Sequence, residues 1–256
     1  MICRKTGKFF TVKIALTGDS HETKNAAGRY LFKITENGPY LVYGKPLIKQ
    51  EYIAQNEDGD SWEYESGRVF TPSDENEPCI ALCRCGHSKH PPFCDERHIE
   101  VNFIGTETAS NEPILNDVQI FEGKRYTLLD NDAYCAFARF CDAFGQVWNL
   151  VTEGSRRADA LALREALSCP AGRLMIKDNE TGRLVEPELK KEISVLEDPA
   201  AQCSGPLFIK GGIKIEGADG RVYEIRNRVT LCRCGRSQNK PFCDGTHASA
   251  PLDDDP

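Results

Sequence analysis

The 256-residue chain reads as an α+β protein in which two small β-rich repeats flank a helical middle segment. Three observations predict this. The stretch Cys83-Arg-Cys85-Gly-His-Ser-Lys-His-Pro-Pro-Phe-Cys94-Asp-Glu-Arg-His98 returns as Cys232-Arg-Cys234-Gly-Arg-Ser-Gln-Asn-Lys-Pro-Phe-Cys243-Asp-Gly-Thr-His247. Upstream, Gly38-Pro-Tyr-Leu-Val-Tyr-Gly44 is matched by Gly205-Pro-Leu-Phe-Ile-Lys-Gly211, each an apolar run bounded by turn residues and followed by further β-rich sequence. Between the two copies, the residues from 133 to 167 carry helix signals instead.

Taken in order, residues 1–35 form an N-terminal β-rich segment. Its apolar run is short and broken by Lys13, so it is expected to be neither a secretory signal nor a membrane anchor. Residues 36–104 hold the first repeat. Gly38 lies 45 residues before Cys83 but Gly205 only 27 before Cys232, so this copy contains an insertion of about 18 residues, with loops at Glu57-Asp-Gly-Asp60 and Ser73-Asp-Glu-Asn-Glu77. Residues 118–178 form the middle segment. There Tyr126–Asp130 reads as a strand and turn, Ala133–Phe144 as a helix, and Ser155 as the cap of a second helix running to Leu167, with Ala160, Leu163 and Leu167 as its apolar stripe. Residues 190–250 hold the second repeat, in which Tyr223 and Ile225 alternate with Glu224 and Arg226 at the period of a half-buried strand. Residues 251–256 are an acidic tail containing Asp253, Asp254 and Asp255.

Both cysteine-rich copies read C-x-C-x8-C-x3-H, and Leu82–His98 shares 11 of 17 residues with Leu231–His247. Two cysteines one residue apart point to the same side of an extended segment and can chelate one metal. A cysteine and a histidine four positions apart share one face of a helical turn and can hold a second. Three thiolates and an imidazole suit an iron–sulfur cluster or zinc, so ligand softness does not decide between them. Zinc fingers, however, usually separate paired cysteines by two to four residues. A pair of zinc knuckles that only hold the fold together is the plainer alternative. Around the ligands, Gly86 and Gly235 permit a sharp turn and close backbone approach, and Asp95 and Asp244 sit where a carboxylate caps the short helix carrying the histidine. Pro92-Phe93 and Pro241-Phe242 stiffen the approach to the third cysteine.

Both copies resemble the CDGSH-type (mitoNEET-like) iron–sulfur domain. Cys243-Asp244-Gly245-Thr246-His247 nearly spells the motif, whereas Cys94-Asp95-Glu96-Arg97-His98 keeps the ligand positions but replaces its small pair by Glu96 and Arg97. The resemblance implies two [2Fe-2S] clusters. Cys83, Cys85, Cys232 and Cys234 would hold the inner irons, and Cys94, His98, Cys243 and His247 the outer ones. Single-motif members form homodimers, so two copies in one chain are expected to make a monomer with an internal pseudo-dimer.

In the middle segment, Cys135-Ala-Phe-Ala-Arg-Phe-Cys141 is followed by Cys169-Pro170-Ala-Gly172. C-x5-C with a later Cys-Pro resembles divergent single-cluster bacterial ferredoxins. That implies a [3Fe-4S] or [4Fe-4S] cluster on Cys135, Cys141 and Cys169. Ala138 stands where a fourth thiolate is expected, and Cys203 is an alternative fourth ligand. Buried structural cysteines are the competing reading. Trp148 and Phe140 are expected to be core residues, and Cys3, Cys79, His21, His87 and His90 are surplus to the ligand sets.

Twelve cysteines fit thiolate-bound metal in a reducing, cytoplasmic compartment better than disulfides. A net charge of −7 argues against nucleic acid as a partner, and no run approaches the ~20 apolar residues that span a bilayer. The sequence contains no nucleophile–base constellation and no phosphate-cradling glycine loop, so no enzyme is expected. Electron transfer with a redox partner protein is the leading expectation. The alternatives are a cluster carrier or redox and pH sensor serving an apo-acceptor protein, and a structural zinc protein.

Overall fold

The computed structural model describes residues 14–16, 30–72 and 76–250, the first three as backbone only. Cys3, His21, residues 73–75 of the second insertion loop, the acidic tail and most of the 1–35 segment lie outside the described residues. The first part of the chain supplies strands β1 (Ile14–Leu16), β2 (Leu31–Ile34), β3 (Tyr40–Tyr43), β4 (Leu47–Gln55), β5 (Ser61–Phe70) and β6 (Cys79–Leu82), then the single-turn helix α1 (Arg97–Glu100). The middle part supplies β7 (Gln119–Glu122), β8 (Tyr126–Asp130), helices α2 (Val147–Glu153) and α3 (Arg156–Ser168), and strands β9 (Leu174–Asp178) and β10 (Leu184–Pro187). The last part supplies β11 (Glu192–Asp198), β12 (Cys203–Lys210), β13 (Lys214–Glu216), β14 (Arg228–Leu231) and the single turn α4 (Thr246–Ser249). With 34% strand and 17% helix the chain is mixed and mostly β.

The two repeats interlock through exchanged strands. In the four-stranded sheet β13-β2-β3-β6, the strand β13 comes from the second repeat, and in the five-stranded sheet β14-β12-β11-β4-β5, strands β4 and β5 come from the first. The matched apolar runs become β3 and β12. Their registers are equivalent, with Tyr40 opposite Leu82 in one sheet and Leu207 opposite Leu231 in the other. The two exchanged pairings are parallel and also equivalent, Ile48 opposite Ile193 and Ile215 opposite Phe32. The inward residues of both sheets, among them Phe32, Ile34, Val42, Leu82, Ile193, Leu207 and Leu231, share one core. Neither repeat completes its sheet alone, so burying these side chains requires both copies.

The insertion is the extension of β4 beyond the part equivalent to β13, together with β5, turned at Asn56–Asp60 by Asn56 N–H to Asp60 O at 2.9 Å and Gly59 N–H to Asn56 O at 3.1 Å. Its outer face is a platform for the middle segment. Tyr64 packs against Phe140 and Phe208 at ring distances of 4.7 and 6.0 Å and donates its hydroxyl to Ser168 O at 2.7 Å.

Residues 118–178 carry two helices, as expected, α2 and α3, together with strands β7, β8 and β9, of which the sequence predicts only β8. These strands join β10 and β1, from outside the segment, in the antiparallel sheet β1-β10-β9-β8-β7. Ser155 does cap α3, accepting from Ala158 N–H at 3.1 Å. The buried face of α3 is Ala158, Ala162, Glu165, Ala166 and Leu167, with Leu163 partly buried against the core; of the expected stripe only Ala160 is exposed. Burial raises the Glu165 carboxyl to about 8, which makes it tolerable there as the neutral acid at pH 7.

The expected helix over Ala133–Phe144 is absent. Short 3-10 turns at Asp132–Tyr134 and Ala143–Gly145 bracket a loop in which Phe137 and Arg139 take positive φ of 55° and 60°. The physical reason lies in direction: six residues of α-helix turn through about 600°, leaving Cys135 and Cys141 roughly 120° apart, whereas the loop brings both to one cleft. Tyr223–Arg226 is likewise irregular and not a strand; Tyr223 is buried against Phe242 and only Val222 makes a bridge, to Glu216. Among the described residues no helix is long and apolar enough to cross a membrane.

At the pseudo-two-fold axis Gly86 and Gly235 meet the opposite repeat, with φ of 76° and 75°. A Cβ on Gly86 would lie 2.7 Å from Cys234 O, and one on Gly235 2.6 Å from Cys85 O. We expect Gly86→Ala or Gly235→Ala to lose about 2–4 kcal/mol of unfolding free energy, from left-handed strain plus a backbone clash. Denaturant melting checks this, and a loss below about 0.5 kcal/mol would be no more than an ordinary surface substitution produces and would contradict the contact.

Candidate metal centres

Each C-x-C pair leaves the end of a strand, β6 or β14, and turns at its glycine. Cys83 N–H donates to Pro92 O at 2.8 Å and Cys94 N–H to Ala81 O at 2.9 Å; Cys232 N–H donates to Pro241 O at 2.9 Å and Cys243 N–H to Thr230 O at 3.0 Å. These bonds fold the loop back so that the third cysteine returns beside the first two.

The donor atoms then fall into pairs. Sγ of Cys83 and Cys85 are 3.7 Å apart, as are those of Cys232 and Cys234. Two thiolates at about 2.3 Å on a tetrahedral metal stand roughly 3.7–3.8 Å apart. Cys94 Sγ lies 3.5 Å from His98 Nδ1, and Cys243 Sγ 3.4 Å from His247 Nδ1. A thiolate at about 2.3 Å and an imidazole at about 2.0–2.1 Å stand roughly 3.5–3.6 Å apart on such a metal. Among the described residues no three His, Cys, Asp or Glu side chains converge so as to share a single metal ion. Each loop thus presents its four donors as two close pairs.

Hydrogen bonds to sulfur favour the thiolate form. In each C-x-C pair the two sulfurs share a proton, which with backbone N–H groups of the turn lowers Cys83 and Cys232 to about 6 and raises Cys85 and Cys234, while burial raises Cys94 and Cys243. Glu96 N–H points at Cys94 Sγ at 3.4 Å and Gly245 N–H at Cys243 Sγ at 3.5 Å. The aspartates brace the loop as well as the helical turn. Asp95 accepts from Lys89 N–H at 2.8 Å and Arg97 N–H at 3.3 Å, and Asp244 from Gln238 N–H at 2.7 Å and Thr246 N–H at 3.0 Å. The residue at the helix N-cap itself is the next one, Glu96 or Gly245, in a left-handed conformation.

The two centres differ in burial. His247 is 4% exposed and Cys243 2%, whereas Cys94 and His98 are half-buried. Burial, helped by the positive charge of Arg233, lowers His247 to about 4. His87 lines an open hollow between the two turns with Cys85 and Cys234; Cys79 sits in β6, outside the loop.

Residues that the motif search passed over hold the loops in place. The arginine inside each C-x-C pair is buried and bonded to backbone carbonyls. Arg84 donates to Thr35 O at 2.8 Å and to Gly105 O; Arg233 donates to Gly205 O at 2.7 Å, Leu196 O at 2.9 Å and Glu197 Oε1 at 2.7 Å. Its identity in both copies was a visible signal. Tyr40 gave none: its hydroxyl crosses to the other repeat and donates to Cys232 O at 2.7 Å and, more weakly, to Pro241 O at 3.2 Å.

In the middle segment Cys135, Cys141 and Cys169 line one small cleft together with Pro170 and Arg173. Phe137 and Arg139 take positive φ on either side of Ala138 along the rim of this cleft. Arg173 is buried and paired with Asp130 at 3.4 Å; burial opposes its charge, but Cys135, Asp130, Cys169 and Cys141 around it raise its pKa. Cys203 does not line this cleft. It opens β12, beside Asp198 and Arg139, so a fourth ligand from that position has no support in the geometry. Phe140 is a core residue at 4% exposed, and Trp148, partly buried, donates Nε1–H to Asp130 at 2.9 Å.

The family model for the iron-binding zinc finger of CDGSH type matches residues 37–99 and 204–248. No curated protein and no solved structure matches the chain.

The depressed His247 sets a pH dependence. An unfolded histidine titrates near 6.5, so between about 6.5 and 4 the unfolded chain binds a proton that the folded chain refuses. The associated stability is full above about 6.5 and is lost as pH falls toward 4, by up to about 3 kcal/mol. Metal on Nδ1 acts in the same direction, because it also requires the neutral ring. Urea midpoints at pH 7 and 4.5 test this, and equal midpoints would mean that His247 is not held neutral.

Proposed function

We propose that this chain, which carries two CDGSH-type iron-binding segments in tandem, holds one [2Fe-2S] cluster in each and serves as a one-electron carrier. The observation that carries this reading is the division of each donor set into two corners sized for tetrahedral iron. Cys83 with Cys85 and Cys232 with Cys234 would hold inner irons; Cys94 with His98, and Cys243 with His247, would hold outer ones.

A bound cluster supplies one-electron chemistry, and imidazole in place of thiolate raises its potential relative to an all-cysteine centre. The protein's part is to hold His247 neutral and dry, to direct the Glu96 and Gly245 N–H groups at sulfur, and to brace both loops through Arg84 and Arg233. A non-enzymatic role fits this arrangement, as does a reducing, cytoplasmic setting in which thiolates persist. The partner would be a redox protein, with no nucleic acid or membrane involved. Because exchanged strands already complete both sheets within one chain, a monomer fits as the working unit.

A second reading is favoured by one observation. The half-buried Cys94 and His98 could release a cluster more readily than the buried pair in the second repeat, which would suit transfer to an apo-acceptor or sensing of redox state and pH. The middle segment fits a ferredoxin-like role, with a [3Fe-4S] or [4Fe-4S] cluster on Cys135, Cys141 and Cys169. The shared cleft and the buried guanidinium of Arg173 support it.

Iron and acid-labile sulfide on anaerobically purified protein, with EPR before and after dithionite, test these assignments. About four irons and four sulfides are expected from the two repeats, rising to seven or eight irons with the middle cluster. Zinc in place of iron would overturn the reading. His247→Cys should lower the potential of the second centre and make its absorbance more resistant to acid. In the unsubstituted protein the first centre should bleach at a higher pH than the second. Loss of both in a single step at one pH would contradict the difference in burial.

A further inference from the structure

We infer that the three ligand sets stand in a single row, in the order middle cleft, second repeat, first repeat, so that the buried second centre exchanges electrons only through its neighbours. This rests on the three-cluster reading above and adds to it the order of transfer.

Two backbone junctions define the row. At the first, the Cys243-Asp244-Gly245 turn abuts the middle loop. A Cβ on Gly245 would meet Cys135 O at 3.0 Å and Phe137 Cβ at 3.3 Å. Asn239 Nδ2 donates to Ala133 O at 2.9 Å, and the rings of Tyr134 and Phe242 are 5.1 Å apart. Arg139, between the two middle-loop cysteines, forms a two-pronged pair with Asp198 at 2.7 and 2.9 Å, fixing the loop to the end of β11. At the second junction Gly86 and Gly235 bring the Cys85 and Cys234 backbones together. In the first repeat the turn position equivalent to Gly245 is Glu96, which is exposed.

Burial follows the same order. Cys243 and His247 are closed off, while Cys94 and His98 at one end, and Cys135 and Cys141 at the other, are partly exposed. The row thus has two ports, each suited to a one-electron carrier protein. Clusters held by these three ligand sets would supply one-electron chemistry, each hop oxidising one centre by one electron and reducing the next by one with no bond made or broken. The electron enters from a reduced carrier at one port and leaves to an oxidised carrier at the other.

Spin relaxation of the reduced [2Fe-2S] signals tests the order in the whole, loaded chain, because a paramagnetic neighbour speeds relaxation steeply with proximity. The two signals are told apart through His98→Cys and His247→Cys. Changing the redox state of the middle centre in the unsubstituted protein should change the relaxation of the second-repeat signal and leave the first-repeat signal as it was. Cys135→Ser and, should it fold poorly, Cys141→Ser should abolish that effect. Equal effects on both signals, or a larger one on the first repeat, would overturn the row while leaving three clusters in place. Only four irons per chain would instead overturn the three-cluster reading and the row with it.

Discussion

Two parallel strand pairings hold this molecule together, β4 on β11 and β13 on β2. Each takes a strand that follows the matched apolar run in one repeat and lays it against the strand that precedes that run in the other. Without the exchange, each sheet would end at β2 or β11, an open edge beside a core side chain such as Phe32 or Ile193. With it, the two cysteine loops are forced back to back across a pseudo-two-fold axis, and Gly86 and Gly235 become the only side-chain size that fits. The loop geometry is thus a consequence of sheet pairing.

The middle segment is bound to this frame by buried charge. Arg228, the first residue of β14 and 1% exposed, donates to Ala166 O at 2.7 Å and Cys169 O at 2.9 Å at the end of α3, and to Glu186 of β10. A guanidinium so deeply buried is tolerable only with its donors satisfied, so these carbonyls and carboxylate have to stay where they are. The same arginine lies four residues before Cys232. It therefore links the approach to the second centre with the approach to Cys169. Opposite it, the hairpin inserted in the first repeat presents Tyr64 and Ile53 to Phe140 and Ala138, and so supports the other side of the cysteine loop.

Duplication has not made the centres equal. The first repeat presents Cys94 and His98 near solvent, and the second hides Cys243 and His247 beneath the middle loop. A single ligand pattern thereby yields one accessible and one enclosed site. Buried arginines at Arg84, Arg233 and Arg173 sit near all three cysteine sets, where positive charge in a poorly polarisable interior offsets the negative charge of assembled thiolates.

Much of this was present in the sequence. C-x-C-x8-C-x3-H twice over determined which side chains pair, because one-residue and four-residue spacings act through local geometry alone. The matched glycine-bounded runs determined the equivalent strands β3 and β12, and Ser155 determined the start of α3, each through neighbouring residues. Three things were decided only by the tertiary structure. The loop over Cys135–Cys141 carries residues that would accept a helix, but contacts with Asp198, Ile53 and Gly245 hold it open. Tyr223–Arg226 alternates like a strand yet finds no ladder to join. The unequal burial of two nearly identical motifs depends on which of them the middle segment covers, and that choice is made by Arg228, Arg139 and the inserted hairpin, through contacts between residues tens to more than a hundred positions apart.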